Sequence, residues 1–162
     1  MEWVGEMVQE DATRVLELHE RIQTLQAKMA AVSERSTMAR LLDSIPGFGL
    51  ICASELAGEI GTLDRFHSEA SLSLYLGMAH LDNSSGKKTG SKHPKHVNTR
   101  AKAAMMIAVD RHRKQVPASQ CYYEKKRAEG KGHNQAIRAL GRHLYRIIYK
   151  MLKEERPYQL RG

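Results

Sequence analysis

An all-α fold is predicted by three observations on this sequence. Every long segment has apolar residues at helical period, alternating strand patterns are missing, and 162 residues suffice for one compact core plus an appendage. The expected division is a helical arm at 1–37, with coiled-coil linker character, followed by a compact helical domain at 38–162. Within that domain we expect a helix-hairpin-helix at 41–57 and a basic serine-bearing loop at 80–98.

The arm comes first. Val15, Leu18, Ile22, Leu25, Met29 and Val32 are spaced in alternating steps of three and four, with charged residues between them. That is an a/d stripe, and at under three heptads it fits a helix packed on its own domain as well as an intermolecular coil. No Gly or Pro occurs between Glu6 and Ile45, so one continuous helix is expected there. The abrupt beginning suggests sequence upstream of Met1.

Next, Leu41 to Ala53 has the form of a helix-hairpin-helix, in which Ile45-Pro46-Gly47-Phe48-Gly49 joins two short helices. Pro46 ends the first helix, Gly47 and Gly49 can take backbone conformations closed to other residues, and the second helix opens with N–H groups able to face a phosphate. Ile45 and Phe48 should tuck under the turn, with Ala53 and Leu56 lining the second helix. The plainer alternative is an ordinary helix–helix turn. Gly61 should close the second helix, Ser68 should cap the next one, and Gly77 should end it.

The stretch from Asn83 to Val109 has no acidic residue, while Lys87, Lys88, Lys92, Lys95, Arg100 and Lys102 crowd it together with His93 and His96. Gly86, Gly90 and Pro94 break any periodicity, which makes this a basic loop. Asn98 can cap the helix that follows, whose apolar face is Ala101, Ala104, Met105, Ala108 and Val109. A cationic loop running into a helix N-terminus is a phosphate receptor. Ser84 and Ser85 stand at its mouth. On residue types alone Ser85 reads as a turn serine, because a serine nucleophile needs a base or metal that the neighbouring sequence does not supply.

The remaining elements are a helix from Pro117 to Gly130 carrying Tyr122 and Tyr123, read as aromatic packing rather than nucleophiles, and a long last helix from about Asn134. That helix puts Ile137, Leu140, Leu144, Ile147, Ile148 and Met151 on one stripe and Arg138, Arg142, Arg146 and Lys150 on another. His93 and His96 have HxxH spacing but no second ligand pair, so no metal site is assigned. Cys52 and Cys121 read as reduced core thiols.

With 26 Lys plus Arg against 18 Asp plus Glu, the formal charge is +8, which favours a polyanionic partner. No stretch approaches a bilayer span, and the polar, acidic start is unlike a signal sequence. A cytoplasmic location without membrane contact is expected.

Taken in order, Ile45-Pro46-Gly47-Phe48-Gly49, Glu59-Ile60-Gly61, Arg65-Phe66, Tyr75-Leu76-Gly77-Met78, Ser85-Gly86-Lys87, Asn98 and Gly130-Lys131-Gly132-His133 resemble the C-terminal domain of the insertion sequence 110/116/902 transposase family over about residues 38–158. Two positions depart from the pattern: Val97 replaces an expected glycine, and His80 an expected proline. The resemblance implies a site-specific DNA recombinase in which Ser85 attacks a phosphodiester and holds the cut strand as phosphoserine. Together with the basic loop and the hairpin turn, this reading places DNA contacts on Gly47, Gly49, Lys87, Lys88, Lys92, Lys95, Asn98 and Arg100. Magnesium would be held by four acidic ligands of an N-terminal nuclease-like domain not contained here, so no cofactor is expected on this chain. A structured guide RNA and a homo-oligomer formed through the arm complete the implied set. The alternative is a non-catalytic helix-hairpin-helix nucleic-acid-binding module.

Overall fold

The computed structural model describes residues 2–79, 81–82, 91–92 and 97–159, with the backbone alone at 2, 81, 82, 91 and 92. These residues form seven α-helices: α1 (Glu2–Ser33), α2 (Thr37–Asp43), α3 (Gly49–Ile60), α4 (Glu69–Tyr75), α5 (Thr99–Gln115), α6 (Pro117–Ala128) and α7 (His133–Lys153). A 3₁₀ turn, Leu63–Arg65, joins α3 to α4. Between α4 and α5 a minimal antiparallel pair, β1 (Leu81–Asp82) and β2 (Ser91–Lys92), sets Leu81 opposite Lys92 and Asp82 opposite Ser91. The sequence predicts no such pair.

Helix α5 is the centre of the body, with α3, α6 and α7 all packed on it. Its inward face of Ala101, Ala104 and Ala108 is small enough for neighbouring helices to approach closely, and Met105 and Val109 fill the space between them at 0 % exposure. Phe48, Leu56, Ile60, Leu72, Leu76 and Met78 join this core from the first half of the chain, and Ile137, Leu140, Leu144, Ile148 and Met151 join it from α7. Within the apolar stripe expected on α7, Ile147 differs: it is 38 % exposed. Cys52 is buried as expected, and burial raises its thiol pKa. Cys121 is exposed, because it lies on a helix with no buried residue.

The long helix expected through residues 6–45 is interrupted. Helix α1 ends at Ser33, and Ser36 starts α2 by accepting a hydrogen bond from the Ala39 amide at 3.2 Å. A serine hydroxyl competes with helical backbone bonding and favours a cap over an interior position, so a Ser-rich segment can break a helix without Gly or Pro. Ser33 and Ser54 share a hydrogen bond of 2.6 Å that ties the base of the arm to α3. Above that point the arm stands free: Val15, Leu18, Ile22 and Leu25 are each half or more exposed.

Candidate nucleic-acid interface

The basic loop springs from a neck built of α3, α4 and the start of α5. The Asn98 amide nitrogen donates to the Tyr75 carbonyl at 3.0 Å, which stitches together the two chain ends flanking residues 76–97. The side chain of Asn98 is fully engaged around the same point. Its Oδ1 accepts from the amides of Arg100 and Ala101 at 3.0 and 2.9 Å, capping α5, while Nδ2 donates to Glu59 Oε2 at 2.6 Å and to the Tyr75 hydroxyl at 2.7 Å. Tyr75 in turn donates its hydroxyl proton to the Glu59 carbonyl at 2.8 Å.

Charged groups brace this triad. Arg65 donates from Nη1 to the carbonyls of Glu59 and Ile60 at 3.1 and 2.9 Å, placing a cation on the negative end of α3, and its guanidinium lies against the rings of Phe66 and Tyr75. Arg100 holds Glu55 with Nε and Nη2 at 2.7 and 3.2 Å and reaches Glu59 at 3.1 Å. The hydrogen bond and charge of Glu55 raise the Arg100 pKa, so this side chain is a cation at any physiological pH.

The α2–α3 turn is rooted on the same central helix. Ile45 and Phe48 are buried beneath it, as their apolar character requires. Gly47 has φ +87, and a Cβ there would lie 2.3 Å from the His112 backbone nitrogen. Two backbones therefore meet with no room for a side chain. The Pro46 carbonyl can only accept, so His112 Nδ1 donates to it at 2.7 Å. In its neutral form the ring then carries its proton on Nδ1, with Nε2 buried and without a partner among the described residues, and burial lowers its pKa. Gly49, at φ +60, opens α3 and has nothing within 4 Å of its would-be Cβ.

Of the predicted site residues, Ser85, Lys87, Lys88 and Lys95 lie outside the described residues, as do His93 and His96, and Lys92 is described only as backbone in β2. Gly47 faces α5 and Gly49 faces open space; Asn98 and Arg100 are held in the neck. Tyr122 and Tyr123 pack as expected: Tyr122 meets the His143 ring edge-on, and Tyr123 lies under Arg113 and bonds His133 at 2.8 Å. Residue-by-residue reading missed the roles of Glu55, Glu59 and Tyr75. The run Glu59-Ile60-Gly61 followed by Tyr75-Leu76-Gly77 carried a signal, but nothing in its spacing shows that a carboxylate and a phenol meet an asparagine 39 positions after the first.

The chain is 32 % identical over 151 residues to a 43.6 kDa protein of insertion element IS110 from Streptomyces coelicolor, a match covering 93 % of this chain and 37 % of that protein. It is 32 % identical over 149 residues to a 42 kDa protein of insertion element IS900 from Mycobacterium paratuberculosis, covering 91 % and 37 % respectively. It is also 27 % identical over 154 residues to the transposase for insertion sequence element IS1111A from Coxiella burnetii, covering 91 % and 42 %. The chain thus spans about two fifths of the length of these curated relatives. The sequence pattern of one family matches residues 39–124, more than half of the chain and the whole of the neck and hairpin turn, and this protein belongs to the Transposase IS116/IS110/IS902 family.

Proposed function

We propose that this chain is the DNA-handling C-terminal part of a transposase, with residues 1–37 as a linking arm and 38–162 as the domain that carries a nucleophilic serine. The observation that supports this reading best is the neck. Glu59, Tyr75 and Asn98 close the two ends of the segment containing Ser85 against a rigid three-helix base, within hydrogen bonds of 2.6 to 2.8 Å. A loop on such a base presents its residues at a defined place on the surface. Charge distribution supports it too. Residues 1–37 hold seven acidic and four basic side chains, so the other 125 residues carry 22 Lys plus Arg against 11 Asp plus Glu.

In this reading Lys87, Lys88, Lys92 and Lys95 hold the phosphates of one strand, and the α2–α3 turn clamps the backbone through Gly47 and Gly49. Arg100, already bound to Glu55 and Glu59, contributes its exposed edge, while Asn98 acts by holding the neck. Ser85 Oγ forms a bond to phosphorus as the bond to the departing sugar oxygen breaks; the serine proton leaves and the freed sugar hydroxyl gains one. Among the described residues no group of three or more His, Cys, Asp or Glu side chains converges as a metal site requires, so the magnesium implied by the resemblance is assigned no ligand on these residues. A guide RNA and a second copy joined through the arm belong to the same proposal. Among the described residues no helix is long and apolar enough to cross a membrane.

Full-length protein carrying Ser85→Ala should bind nucleic acid and form no covalent protein–DNA adduct on a suicide substrate. An adduct trapped by that variant would refute the serine assignment. A second reading assigns these 162 residues on their own to nucleic-acid binding without turnover. Cleavage of the suicide substrate by this chain with magnesium would contradict that second reading.

A further inference from the structure

Helix α7 carries five Lys and Arg side chains and no carboxylate along its 21 residues. Arg138, Arg142, Arg146 and Lys150 follow one another every four positions, and like charges at that spacing repel on a helix surface. Some basic side chains on α5 and α6 are neutralised at close range: Arg113 and Lys114 each lie 2.7 Å from Asp110, and Lys126 lies 2.9 Å from Glu129. Opposition on α7 is looser. Arg146 approaches Glu69 at 3.7 Å and Lys150 approaches Glu154 at 3.8 Å, with both cations more than half exposed.

The row also has a direction. Arg142, its second member, donates from Nε to the Met78 carbonyl at 3.0 Å, so this part of the row lies beside the residues that follow α4. At its other end Arg146, Lys150 and Arg156 border a cleft of about 580 Å³, whose facing wall is the first turn of α6 at Ala118 and Ser119. Ile147 is the one large exposed apolar side chain of α7 among the described residues, too little to form the apolar centre of a protein interface.

We infer that α7 is a second DNA-contact surface, along which the sugar-phosphate backbone of a duplex runs from the serine loop toward the cleft, with phosphates on Arg146 and Lys150. The inference rests on the nucleic-acid reading above and adds the path of the DNA beyond the loop. At a rise of about 1.5 Å per residue, successive cations of the row stand about 6 Å apart along the helix, and their long side chains span the gaps between phosphates of one strand. Such contacts neutralise charge and release counterions without reading bases, so the surface is indifferent to sequence.

Titration of the full chain against a fluorescein-labelled DNA duplex over a salt series tests this. Arg146→Gln with Lys150→Gln, both exposed positions whose effect on folding is checked by far-UV circular dichroism, should weaken binding about tenfold. The same pair should lower the slope of log affinity against log salt by about two, one for each lost phosphate contact. Arg146→Lys with Lys150→Arg should keep the slope. Glu69→Gln with Glu154→Gln, which frees Arg146, Lys150 and Arg156, should tighten binding. A slope unchanged in the Gln pair overturns the inference, as does a loss confined to RNA hairpins with DNA binding intact. If the unaltered chain binds no duplex, the nucleic-acid reading falls as well. If it binds and only Lys87 and Lys88 variants weaken it, the α7 surface alone is refuted.

Discussion

Helices α1 and α7 have the same apolar rhythm and opposite fates. On α7, Ile137, Leu140, Leu144, Ile148 and Met151 are buried to 3 % exposure or less against α5 and α4. On α1, Val15, Leu18, Ile22 and Leu25 repeat the same steps and remain 50 to 63 % exposed, along a helix of 32 residues. Periodicity therefore fixes which face of a helix is apolar, and a separate circumstance decides what covers it. For α7 the cover is the rest of this chain. For α1 no cover of Val15, Leu18 and Ile22 exists among the described residues, and a stripe of that length is the type of surface by which helices of separate chains pair.

The largest effect that can break this contrast is Gly47→Ala, on the buried side. A methyl group there meets the His112 backbone and needs a positive φ, so about 3 to 5 kcal/mol of unfolding free energy should disappear in a urea titration. Ile148→Ala comes next, at about 2 to 5 kcal/mol by the same measurement, because it empties a fully enclosed site. His112 gives a smaller effect spread over pH. Its folded pKa lies below the ordinary 6.5, so the unfolded chain takes up the proton first as pH falls. Stability should be complete above pH 6.5 and decline from there toward the lower folded pKa; a His112→Gln variant, however weakened, should show less of this slope. Ser36→Ala should cost about 1 kcal/mol through loss of the α2 cap. Least of all, Ile22→Ala should change monomer stability by under about 0.5 kcal/mol. The comparison becomes sharper if Leu18→Lys with Ile22→Lys leaves that stability alone yet abolishes concentration-dependent association in sedimentation velocity. Association that survives the double change would show that the stripe pairs with nothing.

Much of the body was legible because local signals and tertiary structure agree. Ser68 and Asn98 accept the bonds of helix N-caps, Pro117 opens α6, and Gly77 follows the last turn of α4 at φ +67. Legibility failed where the outcome depends on an environment the sequence does not display. The break at Ser36 needs α3 nearby to hold Ser33, and Cys121 and Ile147 sit on helical faces whose exposure depends on how α6 and α7 meet. In the neck, Asn98 was readable as a cap, since a cap is local. Its second role, joining Glu59 and Tyr75, spans 39 and 23 positions and follows only from the packing of α3 against α5.

The clamp at Tyr75 and Asn98 also separates two evolutionary problems. The bond from the Asn98 amide to the Tyr75 carbonyl closes this excursion at its base, and Leu76 and Met78 just inside it belong to the buried core, so changes of length or composition that spare the interior begin beyond Met78. Doubling such an excursion adds only about 0.6 kcal/mol of closure entropy. A member of this family can thus alter the segment beyond Met78 while its scaffold stays still, and chimeras that exchange that segment between relatives should fold.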